Sequence, residues 1–403
     1  MASKRVKKNS TGMIESSIDI ISQLPDSLIH QIFSFLPTIY LVRMSLVSKR
    51  WRHMWVSSPF LYFEDLNNIT FNKRKRNRDM VLNFVTKYLI HRQLFMQIPY
   101  TFIVSFRFVT LYNIRSSKIA IRQIDDWLSF AIHSEVKELD LCVNFYCLPC
   151  FVLNASSLTI LKLRELKLVA SSPSTLPSLK ILSLAGVKLK SNAESLQNLV
   201  SGCPIIEEMH LSRCDLQHLD STAVSGTIRN LSLSNVVLND RWLGCLISRL
   251  PLLERLTLEW SVLKNISIHS HSLKYFFLKS NYSIEATLTT PNLVWLDFEC
   301  VSQSIISVKA FNLLEANLKL RGFHTVETLI HLLSNLSFLK KLMLIIWKEE
   351  VLIFPKRTRE RYPSPLSNLK HLKVEIQERT FKTAELWGSL LWFAPSLKTL
   401  EIV

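Results

Sequence analysis

Glycine is scarce in this chain. There are seven in 403 residues, and no two lie closer together than Gly186 and Gly202. A GxGxxG or GxxxxGK[ST] loop cannot be built from that spacing, so phosphate cradles of those kinds are excluded. No GxSxG or HExxH run occurs either. Cysteine is equally thin: Cys147 and Cys150 form a CxxC with Cys142 nearby, but no second pair follows. Tetrahedral zinc needs four ligands, so no metal and no cofactor are expected. The eleven histidines show no paired spacing, and no Ser/His/Asp or Cys/His set stands out. No catalytic residue can be assigned, and the chain does not read as an enzyme.

Long apolar runs are also missing. None approaches the ~18 to 20 residues of a membrane span, so no membrane partner is expected. The basic start, MASKRVKKNS, is not followed by the apolar core of a signal peptide. That reading places the chain in the nucleus and/or cytoplasm, with reduced thiols and incidental Asn-x-Ser/Thr matches such as Asn281-Tyr282-Ser283.

The formal charge is +17, and it is concentrated. Three runs carry most of it: Lys4, Arg5, Lys7 and Lys8; Lys73, Arg74, Lys75, Arg76 and Arg78; Lys356, Arg357, Arg359 and Arg361. They read as tails and solvated loops rather than one helix face with interleaved aromatics, so nucleic acid is not expected as a partner.

What the chain has in abundance is a repeat. The pattern φxxφxφ, with φ apolar, starts at 136, 158, 179, 206, 228, 253, 273, 293, 313, 339, 369 and 397, with a weaker copy at 103, thirteen in all. The last two φ positions share one face of a strand. One such unit cannot bury its face alone; stacking its neighbours into a parallel sheet does. Helical spacers precede several strands (NAESLQNLVSGCP, RWLGCLISRLP, TAELWGSLLWFAP), whereas those leading to 273, 293 and 313 are too short for a good helix and read as extended segments. The pattern resembles the degenerate leucine-rich repeats of plants over residues 100 to 403. The polar position after the strand is kept as Asn144, Cys214 and Asn281 but lost at Val187, Val236 and Val301.

The third and fifth positions of each hexamer point away from the core. Most are polar or small, but Tyr275, Phe277 and Trp295 are not. Parallel stacking sets Tyr275 beside Trp295, with Arg255 and Glu315 flanking them and Phe277 between Thr257 and Asp297. Aromatics beside charges make up binding hot spots. Arg255, Tyr275, Phe277, Trp295, Asp297 and Glu315 are therefore candidates for binding a protein target. The competing expectation is a packing patch covered by the insertion at 345 to 368.

Ahead of the repeats lie three short helices. Residues 26 to 36 read as the first, with Leu28, Ile29, Ile32, Phe33 and Leu36 on one face; a second spans about 38 to 47; a third begins near Ser48 and carries Trp51 and Trp55. More apolar side chains are offered than so small a bundle can enclose. The run ISQLPDSLIHQIFSFLPTIYLVRMSLVSKRWRHMW closely resembles the F-box motif. One departure is Tyr40-Leu41, where family members usually carry charge.

The resemblance implies an adaptor role. The F-box would bind a Skp-family adaptor, and through it a cullin, by way of Leu24, Pro25, Leu28, Ile32, Leu36, Pro37, Val42, Leu46, Trp51 and Trp55. The competing expectation is that Trp51 and Trp55 fill the core of the three-helix unit and that Leu24-Pro25 is only a helix entry. The fold expected is α/β: an N-terminal three-helix F-box module followed by an irregular leucine-rich-repeat solenoid, a parallel β arc with helices and extended segments on its convex side. Its parts would be a basic disordered tail (1–18), the F-box (19–62), a linker with a capping helix (63–98) and the solenoid (99–403). The function implied is that of the substrate-recognition subunit of an SCF-type ubiquitin ligase. A non-ligase repeat scaffold and a small-molecule co-receptor are the alternatives.

Overall fold

The computed structural model describes residues 24–46, 49–64, 74–96, 102–110, 114, 117–169, 173–189, 192–216, 219–301, 304–322, 326–378 and 383–403. The expected tail at 1–18 and the start of the F-box run at 19–23 lie outside them.

Three short helices open the fold: α1 (Asp26–Ser34), α2 (Thr38–Met44) and α3 (Lys49–Ser57). The two Leu-Pro steps set the first two. Pro25 and Pro37 are the residues before α1 and α2, where a fixed φ and a missing N–H suit a helix entrance. Arg50 of α3 ties this entrance down, donating to the Leu24 carbonyl and, at 2.5 Å, to Asp26 Oδ1. Strand β1 (Phe60–Glu64) follows without a break.

The long helix α4 (Arg74–Met96) comes next, then β2 (Ser105–Thr110), α5 (Lys118–His133) and β3 (Glu138–Val143). The middle of the chain runs β4 (Ile160–Arg164), β5 (Lys167–Leu168), β6 (Ile181–Ala185), β7 (Lys188–Leu189), α6 (Asn192–Ser201), β8 (Glu208–Ser212), β9 (Asn230–Ser234), α7 (Asp240–Ser248) and β10 (Arg255–Glu259). Short repeats then alternate β11 (Asn265–His269), β12 (Tyr275–Lys279), β13 (Glu285–Thr289), β14 (Trp295–Val301), β15 (Ile305–Lys309) and β16 (Glu315–Arg321). The chain closes with α8 (Val326–Ser334), β17 (Lys341–Lys348), α9 (Lys356–Arg361), β18 (His371–Glu378), α10 (Thr383–Phe393) and β19 (Thr399–Ile402).

Among the described residues one parallel sheet holds fourteen strands, in the order β1-β2-β3-β4-β6-β8-β9-β10-β12-β14-β16-β17-β18-β19. All thirteen repeat copies form strands of it. The fourteenth is β1, which pairs in parallel with β2, Phe60 beside Ser105 through Glu64 beside Val109. The boundary expected at residue 62 falls inside this strand. The basic run at 73 to 78, expected as a loop, is helical from Arg74 onward.

The alternation of the hexamer explains the layers. Leu256 and Leu258, Phe276 and Leu278, Leu296 and Phe298 all point inward and are buried, and the same holds along the sheet. The backing differs by spacer length. Helices back the long repeats, while β11, β13 and β15 form a second, three-stranded parallel sheet behind the short ones, as the spacers suggested.

One residue past each of β4, β6, β8, β9 and β10 the backbone turns left-handed, at Glu165, Gly186, Arg213, Asn235 and Trp260. Each of these N–H groups still donates to the last carbonyl of the next strand, as Trp260 does to Lys279 at 2.8 Å. The hydrogen bond offsets part of a conformation that costs L residues ~1 to 2 kcal/mol.

Helix α4 welds the three-helix module to the arc. Arg92 is fully buried and its Nη1 donates to the carbonyls of Val56 (2.7 Å) and Ser58 (2.6 Å), between α3 and β1. Tyr88 Oη donates to the Trp55 carbonyl at 3.0 Å. Burial lowers the Arg92 pKa, with Tyr88 acting in the opposite direction.

Arg92→Met should strand two buried carbonyls and lower unfolding free energy in urea by roughly 2 to 4 kcal/mol. Gly202→Ala tests a second constraint. A Cβ there would stand 2.0 Å from the Ser174 carbonyl oxygen and 2.6 Å from its carbon. Backbone must therefore move, and thermal unfolding should register a loss of about 2 kcal/mol or more.

Candidate functional sites

The three-helix module divides its apolar residues between two directions. Ile29, Phe33 and Leu41 are buried. Leu28, Ile32 and Phe35 fall at i, i+4 and i+7, one stripe along α1, and all three are exposed, Phe35 at 77%. Leu46 is exposed at 82%. Pro25 is exposed, and Leu24, Leu36, Pro37 and Val42 are half-buried.

Trp51 and Trp55, expected at the adaptor contact, are instead inside. Trp51 packs on Phe33 with centroids 5.4 Å apart, and Trp55 on Tyr88 at 5.2 Å and His91 at 5.3 Å. Trp51 closes on α1, while for Trp55 the physical reason is α4, which supplies Tyr88 and His91. Phe35 was not singled out from the sequence, although its spacing from Leu28 and Ile32 carries the signal; Pro37 two residues on drew attention to the helix end instead.

On the inner face of the arc, the pairing places the aromatic candidates as the stacking requires. Arg255 lies beside Tyr275, Tyr275 beside Trp295, and Trp295 beside Glu315; Phe277 lies beside Asp297. The Arg255 guanidinium sits over the Tyr275 ring, 4.8 Å from its centroid. Tyr275 and Trp295 are 40% and 37% exposed. The insertion does not cover them: its Phe354 packs at a tilt on Trp392 (5.2 Å) and stacks on Phe393 (5.7 Å), and its N–H donates to Ser389 in α10.

Beside the aromatics runs a charged rung. Glu299 is nearly buried and pairs with Lys279 (3.0 Å) and Arg321, with Lys319 at 3.9 Å. Lys279 Nζ also lies 4.5 Å from the Trp260 centroid. Asp297 accepts from Asn317 Nδ2 at 3.2 Å. Burial pushes its carboxyl pKa up, the Asn317 bond acts against this, and the nearby Glu299 adds to the rise.

The start of the inner face differs. A crevice of about 320 Å³ opens there between Phe35, Tyr62, Arg107 and Lys162. Of its two lining cations, Arg107 meets Asp140 at 3.3 Å, and the other is Lys162. A polyanion would meet these beside two lining carboxylates, Glu138 and Asp140.

No cluster of three or more His, Cys, Asp or Glu side chains able to hold a metal occurs among the described residues. Burial pushes Cys203 up to about 12 and Cys214 up to about 11, so neither is a thiolate near neutrality. No described helix is long and apolar enough to cross a membrane.

Comparison with known proteins agrees with this division. An F-box domain family model matches residues 21–63, and the At1g61320/AtMIF1 LRR domain model matches residues 103–219. F-box/LRR-repeat protein 25 of Arabidopsis thaliana is 33% identical over 216 residues, 52% of this chain and 73% of that protein. F-box/FBD/LRR-repeat protein At1g13780 of the same plant is 26% identical over 422 residues, 95% of this chain and 84% of that protein. Putative F-box/LRR-repeat protein At5g02930 is 33% identical over 213 residues, 52% of this chain, which spans 40% of that protein's length.

The raised pKa of Asp297 gives a signed prediction. A carboxyl whose folded pKa lies above its unfolded value favours folding while neutral and opposes it once ionised. Asp297→Asn should therefore raise the melting temperature at pH 7. The gain should vanish at pH values below about 4, where the unfolded carboxyl is itself protonated.

Proposed function

The chain belongs to the plant-type F-box/leucine-rich-repeat family, and we propose that it is the substrate-recognition subunit of an SCF-type ubiquitin ligase. Proteins of this family generally act in such complexes as non-catalytic adaptors. The finer reading divides the labour in two. The stripe Leu28, Ile32 and Phe35, with Leu46, docks on a Skp-family adaptor and through it on a cullin; the inner face of the arc, around Tyr275 and Trp295, holds a target protein. Its work then lies in the nucleus or cytoplasm, where that machinery operates.

The observation that carries the reading is the exposed apolar stripe on a module whose own interior is complete. Ile29, Phe33, Trp51 and Trp55 are already buried in the core, Trp51 on Phe33 and Trp55 on Tyr88 of α4. Burying three large apolar side chains contributes ~1.5 to 3 kcal/mol each, an amount comparable with the cost of association, so Leu46 and the polar rim must add to it.

No bond is made or broken by this chain in such a role. It supplies proximity, holding the target near the enzyme that transfers ubiquitin. The small-molecule alternative draws no support from the crevice at Phe35, whose one arginine, Arg107, is taken by Asp140.

Leu28→Asp with Ile32→Asp changes only exposed positions, so the fold should persist by circular dichroism. Capture of a purified Skp-family adaptor should weaken at least 100-fold in titration calorimetry. Tyr275→Ala with Trp295→Ala should leave that affinity within about threefold while abolishing target ubiquitination. Adaptor affinity indifferent to the first pair would leave only the non-ligase scaffold.

A further inference from the structure

The second position of each hexamer lies on the edge of the arc where the chain enters each strand. Among the described residues of the earlier rungs, every charge of this row except Lys137 has an ion-pair partner. Lys180 pairs with Glu207 at 3.0 Å, and Glu254 with both Arg229 (3.0 Å) and Lys274 (3.2 Å). Val294 and Leu314 then interrupt the charges. Beyond them the row is Lys340, Lys370 and Lys398, all exposed.

These three occupy adjacent rungs. The Lys370 N–H donates to the Lys340 carbonyl at 2.9 Å, and the Lys398 N–H to the Lys370 carbonyl at 2.8 Å. Among the described residues no carboxylate pairs with any of them. Like charges stacked at the ~4.8 Å rung spacing repel and cost stability. Five of the six charged positions earlier in the row are ion-paired, and these three are not.

Where the apolar interruption lies, two phenylalanines project from the turns. Phe311 and Phe338 are 71% and 51% exposed and meet edge to face with centroids 5.9 Å apart. They flank an open groove of about 860 Å³ that also touches Lys340 and Lys370. Asn292 and Asn312 are bonded to each other there, Nδ2 of Asn312 to Oδ1 of Asn292 at 3.3 Å. Two of its lining residues, Val294 and Leu314, immediately precede Trp295 and Glu315 of the inner face in the chain.

We propose that this edge binds a short acidic peptide segment whose aromatic or large aliphatic side chain seats against Phe311 and Phe338, its carboxylates meeting Lys340, Lys370 and Lys398. The surface stands on the geometry alone; its use in target capture rests on the receptor reading above. A peptide fits better than a nucleic acid. A nucleic-acid backbone is followed by an extended basic track, and this one stops after three rungs at Val294 and Leu314.

The test selects a phage-displayed random dodecapeptide library on the full-length protein, then measures enriched peptides by fluorescence anisotropy. Enriched sequences should carry Asp or Glu beside Phe, Trp or Leu. Their Kd should rise at least tenfold with Lys340→Glu plus Lys370→Glu, at least tenfold with Phe311→Ser plus Phe338→Ser, and steadily with salt. All four positions are exposed, so circular dichroism should be unchanged. Failure to enrich, peptides without acidic bias, or affinities indifferent to both pairs would overturn the proposal. Binding of a labelled twelve-residue oligothymidylate in place of the peptides would overturn it in favour of nucleic acid. Adaptor capture measured on the same preparations separates the two readings. Intact capture with no edge effect removes only the edge, while peptide binding without capture removes only the ligase role.

Discussion

The pairing of β1 with β2 is the constraint on which the rest of the molecule depends. A three-helix module of some thirty residues buries little surface by itself. Here its exit strand becomes the first rung of the arc, and Thr38 Oγ1 of α2 accepts the Tyr62 N–H at 2.9 Å, so the strand is tied to the helices on one side and to the sheet on the other. Arg92 closes the third side. Two ends joined this way move as one body, which is what a receptor needs if it is to hold a target at a fixed distance from an enzyme bound at the other end. A flexible tether would reach the same targets with a broad distribution of distances.

Much of the arc was legible because its period is physical. The two-residue alternation of φxxφxφ can be satisfied only by a strand with one buried face, and its recurrence only by stacking; the placement of Tyr275 beside Trp295 follows from both. The short spacers before 273, 293 and 313 were legible for a similar reason, since a helix does not fit in them. The strand at Phe60–Glu64 was hidden because its sequence, FLYFE, lacks the leading φxx of the others and follows the helical module directly. The inward turn of Trp51 and Trp55 was one of two readings open in the sequence, and it went undecided because α4, the partner of Trp55, lies some thirty residues on. The edge row escaped because its meaning lies in a contrast between rungs, with paired charges early and unpaired ones late, and single positions do not display it.

The inner face carries charge at a cost. Asp297 is half-buried beside Glu299, and its raised pKa means that the fold resists its ionisation. Glu299 is held by several cations at once, so the rung is fixed before anything binds. A preorganised polar rung beside exposed aromatics spends stability in the free protein and loses less on association than a mobile one. Lysines stacked on the edge follow the same logic, since repulsion present in the free protein is relieved when carboxylates arrive.

The position of the aromatic patch along the arc has a physical reason as well. Curvature in a solenoid comes from a mismatch between its two layers. Strands stack at ~4.8 Å, whereas helices with their side chains need ~10 Å. Rungs backed by helices must therefore splay outward. Rungs backed by β11, β13 and β15 have nearly the same spacing front and back, so that stretch is the flattest. Tyr275 and Trp295 lie on it, in β12 and β14, and Phe311 stands at its edge. A flatter stretch presents its side chains to a broad protein surface rather than enclosing a small ligand. The irregular spacing of the repeats, shortest over the three ending at 273, 293 and 313, thus assigns different shapes to different parts of one sheet, and the exposed aromatics fall in the stretch with the shortest spacing.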